Sequence, residues 1–232
     1  MKNPTATTIL ELNCVSKSYE GKKILDNISF SISKGEVVGY LGPNGAGKTT
    51  TIRLILDLIK QDSGKIIRKN NRIGVVLDKE GLYEQLNPIE NINYLYYLYY
   101  GRKISYKHAK ELLNKVGLFQ YADKKVGTFS KGMKKRLSLL CSLICDPELL
   151  ILDEPFTGLD PSGQKLIENM ILNLAKDRTI FLSSHNLPLV SNICSRFIVL
   201  NKKILADKKL ISKDYRELEN IYFNLIGDDK CV

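Results

Sequence analysis

The fold of this chain is best predicted from residues 42–49, which read Gly42-Pro43-Asn44-Gly45-Ala46-Gly47-Lys48-Thr49. Two glycines with four residues between them are followed at once by Lys-Thr, which is the spacing of a phosphate-binding loop. Residues 36–41 before the loop predict a buried strand, and residues 50–56 after it predict the start of a helix. The pattern therefore indicates a strand, a phosphate loop and a helix, in that order.

The chemistry of such a loop assigns roles to its residues. Glycines let the backbone bend so that successive N–H groups point at one phosphate, and the N-terminus of the following helix adds partial positive charge. Lys48 would reach the β- and γ-phosphates, and Thr49 would hold Mg²⁺. The predicted nucleotide-binding residues of this loop are Gly42, Pro43, Asn44, Gly45, Ala46, Gly47, Lys48, Thr49 and Thr50.

A second motif lies at residues 149–154, where four apolar residues precede Asp153-Glu154. The carboxyl ends of parallel strands are where α/β folds bind ligands. Asp153 would hold Mg²⁺ directly or through water, and Glu154 would orient or deprotonate an attacking water. Pro155 follows at once, so the alternative interpretation is a strand that simply ends in a turn.

Three shorter motifs indicate site residues because of where they lie relative to the acidic pair and the predicted strands. Ser130 and Gly132 begin a predicted helix about twenty residues before Asp153, and such a helix N-terminus either binds an anion or is a plain N-cap. Residues 157–160, Thr-Gly-Leu-Asp, follow the acidic pair. His185 follows the next predicted strand, where it could hydrogen-bond a terminal phosphate.

Composition excludes several classes of protein. The 232 residues are 44% hydrophobic and 26% charged, which fits a globular protein and argues against disorder. No apolar run approaches the ~20 residues that span a bilayer, and residues 1–8 lack the apolar core of a signal peptide, so a cytoplasmic location is expected. The five cysteines have no metal-ligand spacing and are predicted to be reduced core thiols.

A net charge of +10 is compatible with nucleic acid or an anionic membrane as a partner. The basic residues nevertheless lie in short clusters, without a long tract or a known nucleic-acid module. A solvated basic surface is therefore the favoured interpretation, and nucleic acid is an unlikely partner.

Strands and helices alternate after the phosphate loop, which predicts an α/β fold with a mostly parallel sheet. The predicted strands cover residues 8–14, 24–32, 36–41, 66–67, 73–77, 149–154, 179–183 and 197–200. Residues from about 80 to 145 are predicted to form a helical subdomain inserted in this core, and the first strands an N-terminal antiparallel β subdomain. We predict one domain over residues 1–232, in which residues 207–232 are a short C-terminal extension.

A tyrosine-rich helix is predicted inside the helical subdomain. Asn87, Pro88 and Glu90 form a helix start, with an N-cap, a proline in the first turn and an acid three residues after the cap, and Gly101 ends the helix. Its apolar face is either ordinary core or, because tyrosine has one apolar and one polar end, a surface for a partner. That face contains Ile92, Leu95, Tyr96 and Tyr99.

The order of these motifs resembles the nucleotide-binding subunit of an ATP-binding cassette (ABC) transporter. The resemblance covers about residues 8–206, nearly the whole chain. The phosphate loop matches the family's Walker A motif, residues 149–154 its Walker B motif and residues 157–160 its D-loop. Residues 130–133 match the family signature and His185 its switch histidine. Tyr19 lies 23 residues before Gly42, where the family has an aromatic residue that stacks on adenine.

The resemblance implies ATP and Mg²⁺ as cofactors and ATP hydrolysis as the activity. It implies a head-to-tail dimer, either a homodimer or a pair with another ABC subunit, in which Ser130 and Gly132 contact the γ-phosphate bound by the partner. Asp160 belongs to the site through the D-loop. It also implies a separate integral-membrane permease that holds the subunit on the inner face of the cell membrane.

Two departures from the family pattern are informative. Lys131 and Met133 stand where many members have glycine and glutamine, and this variant is similar to the branch of bacitracin and lantibiotic exporters. After the strand at residues 73–77 the family usually has a glutamine that contacts Mg²⁺ or the water and couples to the permease. This chain has Asp78 there, and Gln85 is too far along to leave the same strand end.

Two other functions are compatible with part of the sequence. A cassette ATPase that acts on nucleic acid or ribosomes would suit the net charge, but this chain lacks the second cassette, long coiled-coil insertion or zinc cysteines of such relatives. A binding module that only responds to ATP is disfavoured, because Lys48, Asp153, Glu154 and His185 supply every expected catalytic residue type.

Overall fold

The computed structural model describes residues 7–69, 72–78, 81–211 and 213–227. In chain order, the strands are β1 (Thr8–Tyr19), β2 (Lys22–Ser33), β3 (Val37–Leu41), β4 (Ser63–Arg68), β5 (Ile73–Val76), β6 (Leu149–Asp153), β7 (Thr179–Ser184), β8 (Arg196–Asn201) and β9 (Lys203–Lys209). The α-helices are α1 (Lys48–Ile55), α2 (Pro88–Tyr100), α3 (Tyr106–Lys115), α4 (Lys131–Ser142), α5 (Pro161–Leu174), α6 (Leu187–Ile193) and α7 (Tyr215–Ile226). None of the helices in these described ranges is long and apolar enough to cross a bilayer.

Contacts divide the chain into two compact units. The first unit contains the residues up to 71 and those from 171 onward, and the second unit is Arg72–Met170. The phosphate loop and His185 belong to the first unit, whereas Asp78, the signature residues and the Asp153-Glu154 pair belong to the second.

The first unit begins with an antiparallel sheet in the order β2-β1-β4. Along β2, Leu25, Ile28, Phe30 and Ile32 are buried while the residues between them are more exposed, as expected for strands with one face on a core. This sheet confirms the predicted N-terminal antiparallel subdomain. Its strands are longer than the predicted ones, and β1 pairs with β2 as far as Tyr19 across several register shifts.

The parallel strands of the first unit surround β3, which pairs with β7 on one side and β8 on the other. Every residue of β3 is buried. Phe30 and Phe181 stack near Tyr40, with ring centroids 4.9–5.8 Å apart, and α6 approaches so closely that a Cβ on Gly39 would lie 2.5 Å from Val190 Cγ1. This packing accounts for the unbroken apolar run and rigidly supports the loop after β3.

The second unit contains the parallel pair β5-β6 and a group of helices around one apolar core. Helix α2 begins with the predicted capping box, since Asn87 and Glu90 exchange side-chain-to-backbone hydrogen bonds, and it ends at Gly101 in the left-handed conformation. Core residues come from α2, α3 and α4 and from the 3₁₀ turn Val126–Thr128, and Tyr121 of a second 3₁₀ turn, Phe119–Tyr121, packs against them partly buried. The mostly parallel α/β fold with inserted helices is thereby confirmed.

Three details differ from the sequence predictions or extend them. β9 runs antiparallel to β8, and α7 lies within the predicted C-terminal extension; neither was predicted. Cys14 is exposed, so the interpretation of all cysteines as core thiols is wrong there, whereas Cys141 and Cys194 are buried. Cys231 lies outside the described residues. The boundaries of the single predicted domain stay a prediction.

Candidate functional site

The phosphate loop has a backbone that side chains would obstruct. Gly47 has φ 107°, and a Cβ there would lie 2.5 Å from Leu25 Cδ2. A Cβ on Gly42 would lie 2.3 Å from the carbonyl oxygen of Leu200. Only glycine fits such positions without a shift of neighbouring atoms, so the two glycines of the motif are required by conformation and by close packing.

The backbone at the tip of the loop, at Gly45, has open space beside it. Gly45 has φ 82°, and a Cβ there would meet nothing within 4 Å. Below it, the Ala46 N–H donates to the Pro43 carbonyl at 3.2 Å, and the Lys202 N–H donates to the Ala46 carbonyl at 3.0 Å. The loop is thus held from beneath while its outer backbone stays accessible, which suits the binding of a phosphate group.

Lys48 is the first residue of α1 and is 7% exposed. Its ammonium donates to the carbonyl oxygens of Gly42 at 2.7 Å and Pro43 at 3.3 Å, so the positive charge lies at the base of the loop. One turn further, the Thr51 hydroxyl donates to the Gly47 carbonyl and lies 3.0 Å from the Tyr40 hydroxyl. These bonds fix the start of α1 against β3.

His185 lies at the same sheet edge as the phosphate loop. β3 and β7 are parallel neighbours, and Leu41 pairs with Ser184 at their last residues. Gly42 directly follows β3 and His185 directly follows β7, so both residues lie at the same edge of the sheet. His185 is exposed, and the Ser184 hydroxyl accepts the Asn186 N–H at 3.0 Å, which turns the chain into α6.

Tyr19 ends β1 and is 43% exposed. The Lys17 ammonium lies 5.4 Å from the ring centroid, within the range of a cation–π contact. An exposed aromatic ring of this kind can stack on a nucleobase, and its role in adenine binding stays a prediction.

The acidic pair ends β6 in the second unit. Asp153 is 1% exposed, and Glu154 is partly buried with φ 48°, which is uncommon for a residue with a side chain. Thr157 secures this turn, since its N–H donates to the Glu154 carbonyl at 3.2 Å and its hydroxyl to the carboxylate at 3.4 Å. Because such backbone outliers cluster at functional sites, this conformation supports Glu154 as a candidate site residue.

Asp78 lies at the same strand edge as Asp153. β5 and β6 are parallel, and Val76 pairs with Leu152. Asp78 is therefore two residues past the end of one strand, while Asp153 is the last residue of its neighbour. Asp78 is exposed, so its carboxylate is accessible at that edge.

The signature residues begin α4 and contact the D-loop. Ser130 is the N-cap, whose hydroxyl accepts the Met133 N–H at 3.2 Å. A Cβ on Gly132 would lie 3.8 Å from Leu159 Cδ2. In the D-loop, Asp160 accepts a hydrogen bond from the Ser162 hydroxyl, and this bond lowers the pKa of Asp160. Ser130 and Asp160 are both exposed.

The donor chemistry of these residues fits the expected cofactors. The hydroxyl of Thr49 and the carboxylates of Asp78 and Asp153 are hard oxygen donors of the type that Mg²⁺ prefers. The open loop at Gly45 and the ammonium of Lys48 suit phosphate oxygens.

Lys135, a buried lysine on α4, was not among the site residues predicted from the sequence. It is 2% exposed, and its ammonium donates to the carbonyl oxygens of Leu77 at 3.3 Å and Asp78 at 3.1 Å. Helical spacing could have identified it, because Lys135, Ser138 and Ser142 share one face of α4 and are all buried.

Comparison with known proteins agrees with this geometry. Residues 25–157 match the family model described as ABC transporter. The chain belongs to this family. It is 38% identical to the bacitracin transport ATP-binding protein BcrA of Bacillus licheniformis, over 97% of this chain and 78% of the relative. It is 37% identical to the linearmycin resistance ATP-binding protein LnrL of Bacillus subtilis, over 84% of this chain and 67% of the relative.

Solved structures show the same fold. The ATP-binding subunit of an ABC transporter matches with a TM-score of 0.81 and 28% identity, over 95% of this chain and all of that one. A dimeric ATP-binding cassette in a post-hydrolysis state, bound to ADP and phosphate, matches with a TM-score of 0.78. It is 24% identical, over 87% of this chain and 99% of that one.

Proposed function

We propose that this chain binds and hydrolyses MgATP and that hydrolysis drives a separate membrane permease. The observation that supports this best is the register of β3 and β7, in which Leu41 pairs with Ser184. It brings the phosphate loop and the switch histidine to one sheet edge, as a site that holds and senses a γ-phosphate requires.

Each site residue has a proposed role. Lys48 would turn its ammonium from the loop carbonyls toward the β- and γ-phosphates. Thr49 and Asp153 would each donate an oxygen to Mg²⁺, which neutralises charge on the phosphates. Glu154 would orient the attacking water or accept its proton, and His185 would hydrogen-bond the terminal phosphate.

The working unit is proposed to be a dimer with two nucleotides between its subunits. Ser130 is exposed at the N-terminus of α4, where backbone N–H groups and its hydroxyl suit an anion supplied by another molecule. The dimeric cassette of similar fold supports this arrangement. Either a second copy of the chain or another ABC subunit would serve as the partner.

The transport partner is proposed to be an exporter. Relatives named for bacitracin transport and linearmycin resistance support this direction. The subunit would then lie on the inner face of the cell membrane, held there by its permease. Asp78 is proposed to transmit the nucleotide state to that permease, because it occupies the position of the family's coupling glutamine.

The experiment that tests the activity is ATP turnover by the purified protein. Lys48→Ala removes the charge-assisted bonds to the phosphates and should lower turnover at least about tenfold. Lys60→Ala is a matched control, because Lys60 is an exposed lysine paired with Asp57. Wild-type turnover that survives Lys48→Ala undiminished would reject the assignment.

A further inference from the structure

Helix α4 contacts two segments of the second unit. One is the D-loop, residues 157–160, and the other, the segment after β5, consists of Leu77 and Asp78. At its first turn, Lys131 lies across the D-loop, since a Cβ on Gly158 would be 3.1 Å from Lys131 Cδ and Nζ. At its second turn, the Lys135 ammonium donates to the carbonyls of Leu77 and Asp78, just past β5. Lysines four residues apart share a helix face, so this face of α4 connects the two segments.

The Lys135 contact is suited to fixing a position. Lys135 as a whole is 2% exposed, so its ammonium has lost most of its hydration, and a buried ammonium is retained in a fold only with strong hydrogen-bond partners. Two of those partners are backbone carbonyls, which cannot rotate away as a side chain can. A displacement of the segment after β5 therefore strains or breaks these hydrogen bonds unless α4 moves by the same amount.

We propose that Lys135 is a positioning residue that makes α4 and the segment after β5 move as one body. The nucleotide state sensed near Asp78 would then set the position of Ser130, five residues before Lys135 on the same helix. This inference rests on the proposed dimeric site, because Ser130 acts on the nucleotide of the opposite subunit.

The test uses the full chain with Glu154→Gln, which should bind ATP without hydrolysing it. Lys135→Met keeps an unbranched apolar side chain as long as the aliphatic part of lysine and removes the ammonium. We expect ATP affinity of the monomer to stay within about twofold, while the dissociation constant of the ATP-bound dimer rises at least about tenfold. Lys135→Arg, which restores donors and charge, should recover most of the dimer affinity.

The matched control is Lys134→Met on the same helix. It also removes one positive charge, but Lys134 pairs with Glu84 rather than with the end of β5. This variant should dimerise as its parent does. If Lys134→Met and Lys135→Met weaken the dimer equally, the effect comes from net charge, and the positioning role is wrong.

A double-mutant cycle tests the link itself. Asp78→Ala leaves the backbone carbonyl in place, so the Lys135 contact persists. If Lys135 transmits the state of this segment, Asp78→Ala should weaken the dimer in the parent and change it less than about twofold when Lys135→Met is present. Fold-changes that simply multiply would overturn the proposal.

Hydrogen exchange separates this inference from the proposed function. Without nucleotide, Lys135→Met should speed amide exchange in residues 73–78 and at the start of α4 together, and Lys135→Arg should not. Unchanged amide exchange in Lys135→Met would reject the proposed link between α4 and the segment after β5, whether or not the Glu154→Gln protein dimerises. A Glu154→Gln protein that binds ATP and stays monomeric would reject only the proposed dimer. Thermal melts check folding. If Lys135→Met does not fold, Lys135→Gln serves the same tests, because its amide is uncharged and its two N–H donors lie one atom closer to the backbone than the ammonium does.

Discussion

At the residue scale, Tyr19 offers a direct test of the adenine site. Its ring is 43% exposed at the end of β1, with Lys17 beside it. If the ring stacks on adenine, Tyr19→Ala should weaken ATP binding by about 1–3 kcal/mol, the range of base–aromatic stacking. Calorimetry against ATP measures this, and Tyr19→Phe, which keeps the ring, should bind as the wild type does. An unchanged affinity of Tyr19→Ala would remove Tyr19 from the site.

Asp78 is the least expected site residue. Its carboxylate is one methylene shorter than glutamine and cannot donate a hydrogen bond when ionised, but it can attract Mg²⁺ through a water. Asp78→Ala should lower permease-stimulated turnover by about tenfold, a usual size for coupling between sites, and basal turnover much less. Asp78→Gln should retain substantial transport. Equal losses with and without the permease would leave Asp78 as a cap of the loop after β5.

Residues whose role follows from local chemistry could be predicted from the sequence. Ser130 is an N-cap and the loop glycines adopt demanding conformations, as their neighbours in the chain indicate. Lys135 could not be assigned in the same way. Its partners, Leu77 and Asp78, are more than fifty residues away in the chain, and a lysine on a helix is normally exposed.

At the element scale, prediction succeeded where periodicity and caps agree. α2 has a capping box, a proline in its first turn and a glycine after its end, and its boundaries match. β9 was missed because Lys203–Lys209 is rich in lysine and lies at a sheet edge, where polar residues replace the apolar pattern. The end of β1 was missed because register shifts interrupt its alternation.

Packing of the elements also predicts which thiols react. Burial raises the pKa of Cys141 on α4 and of Cys194 after α6 to about 12. At pH 8 the thiolate fraction of each is then about one in ten thousand, and it rises only as the pH approaches 12. Iodoacetamide should alkylate exposed Cys14 in the folded protein and spare Cys141 and Cys194 until guanidinium unfolds it.

Peptide mass spectrometry assigns each alkylated cysteine. Cys14→Ser should remove the modification at residue 14 and leave the protection of Cys141 and Cys194 unchanged. Alkylation of those two thiols in the folded protein at the rate of Cys14 would contradict the burial that the structure shows.

At the scale of the whole molecule, sequence order was more informative than composition. A net charge of +10 suits several classes of partner, whereas the succession of phosphate loop, signature, acidic strand and switch histidine suits one family. What the sequence could not supply is the strand register. The pairing of Leu41 with Ser184 joins segments more than 140 residues apart, and only the folded chain shows that both end at one edge.

The central claim is that two nucleotides are held between two subunits, and light scattering of the Glu154→Gln protein tests it most directly. We expect the mass of one chain without nucleotide and of two chains with MgATP. We further expect that adding Ser130→Arg keeps the protein monomeric while ATP binding to the monomer is unchanged, because Ser130 serves the opposite subunit. A Glu154→Gln protein that binds ATP yet stays monomeric, alone and with its permease, would contradict the account.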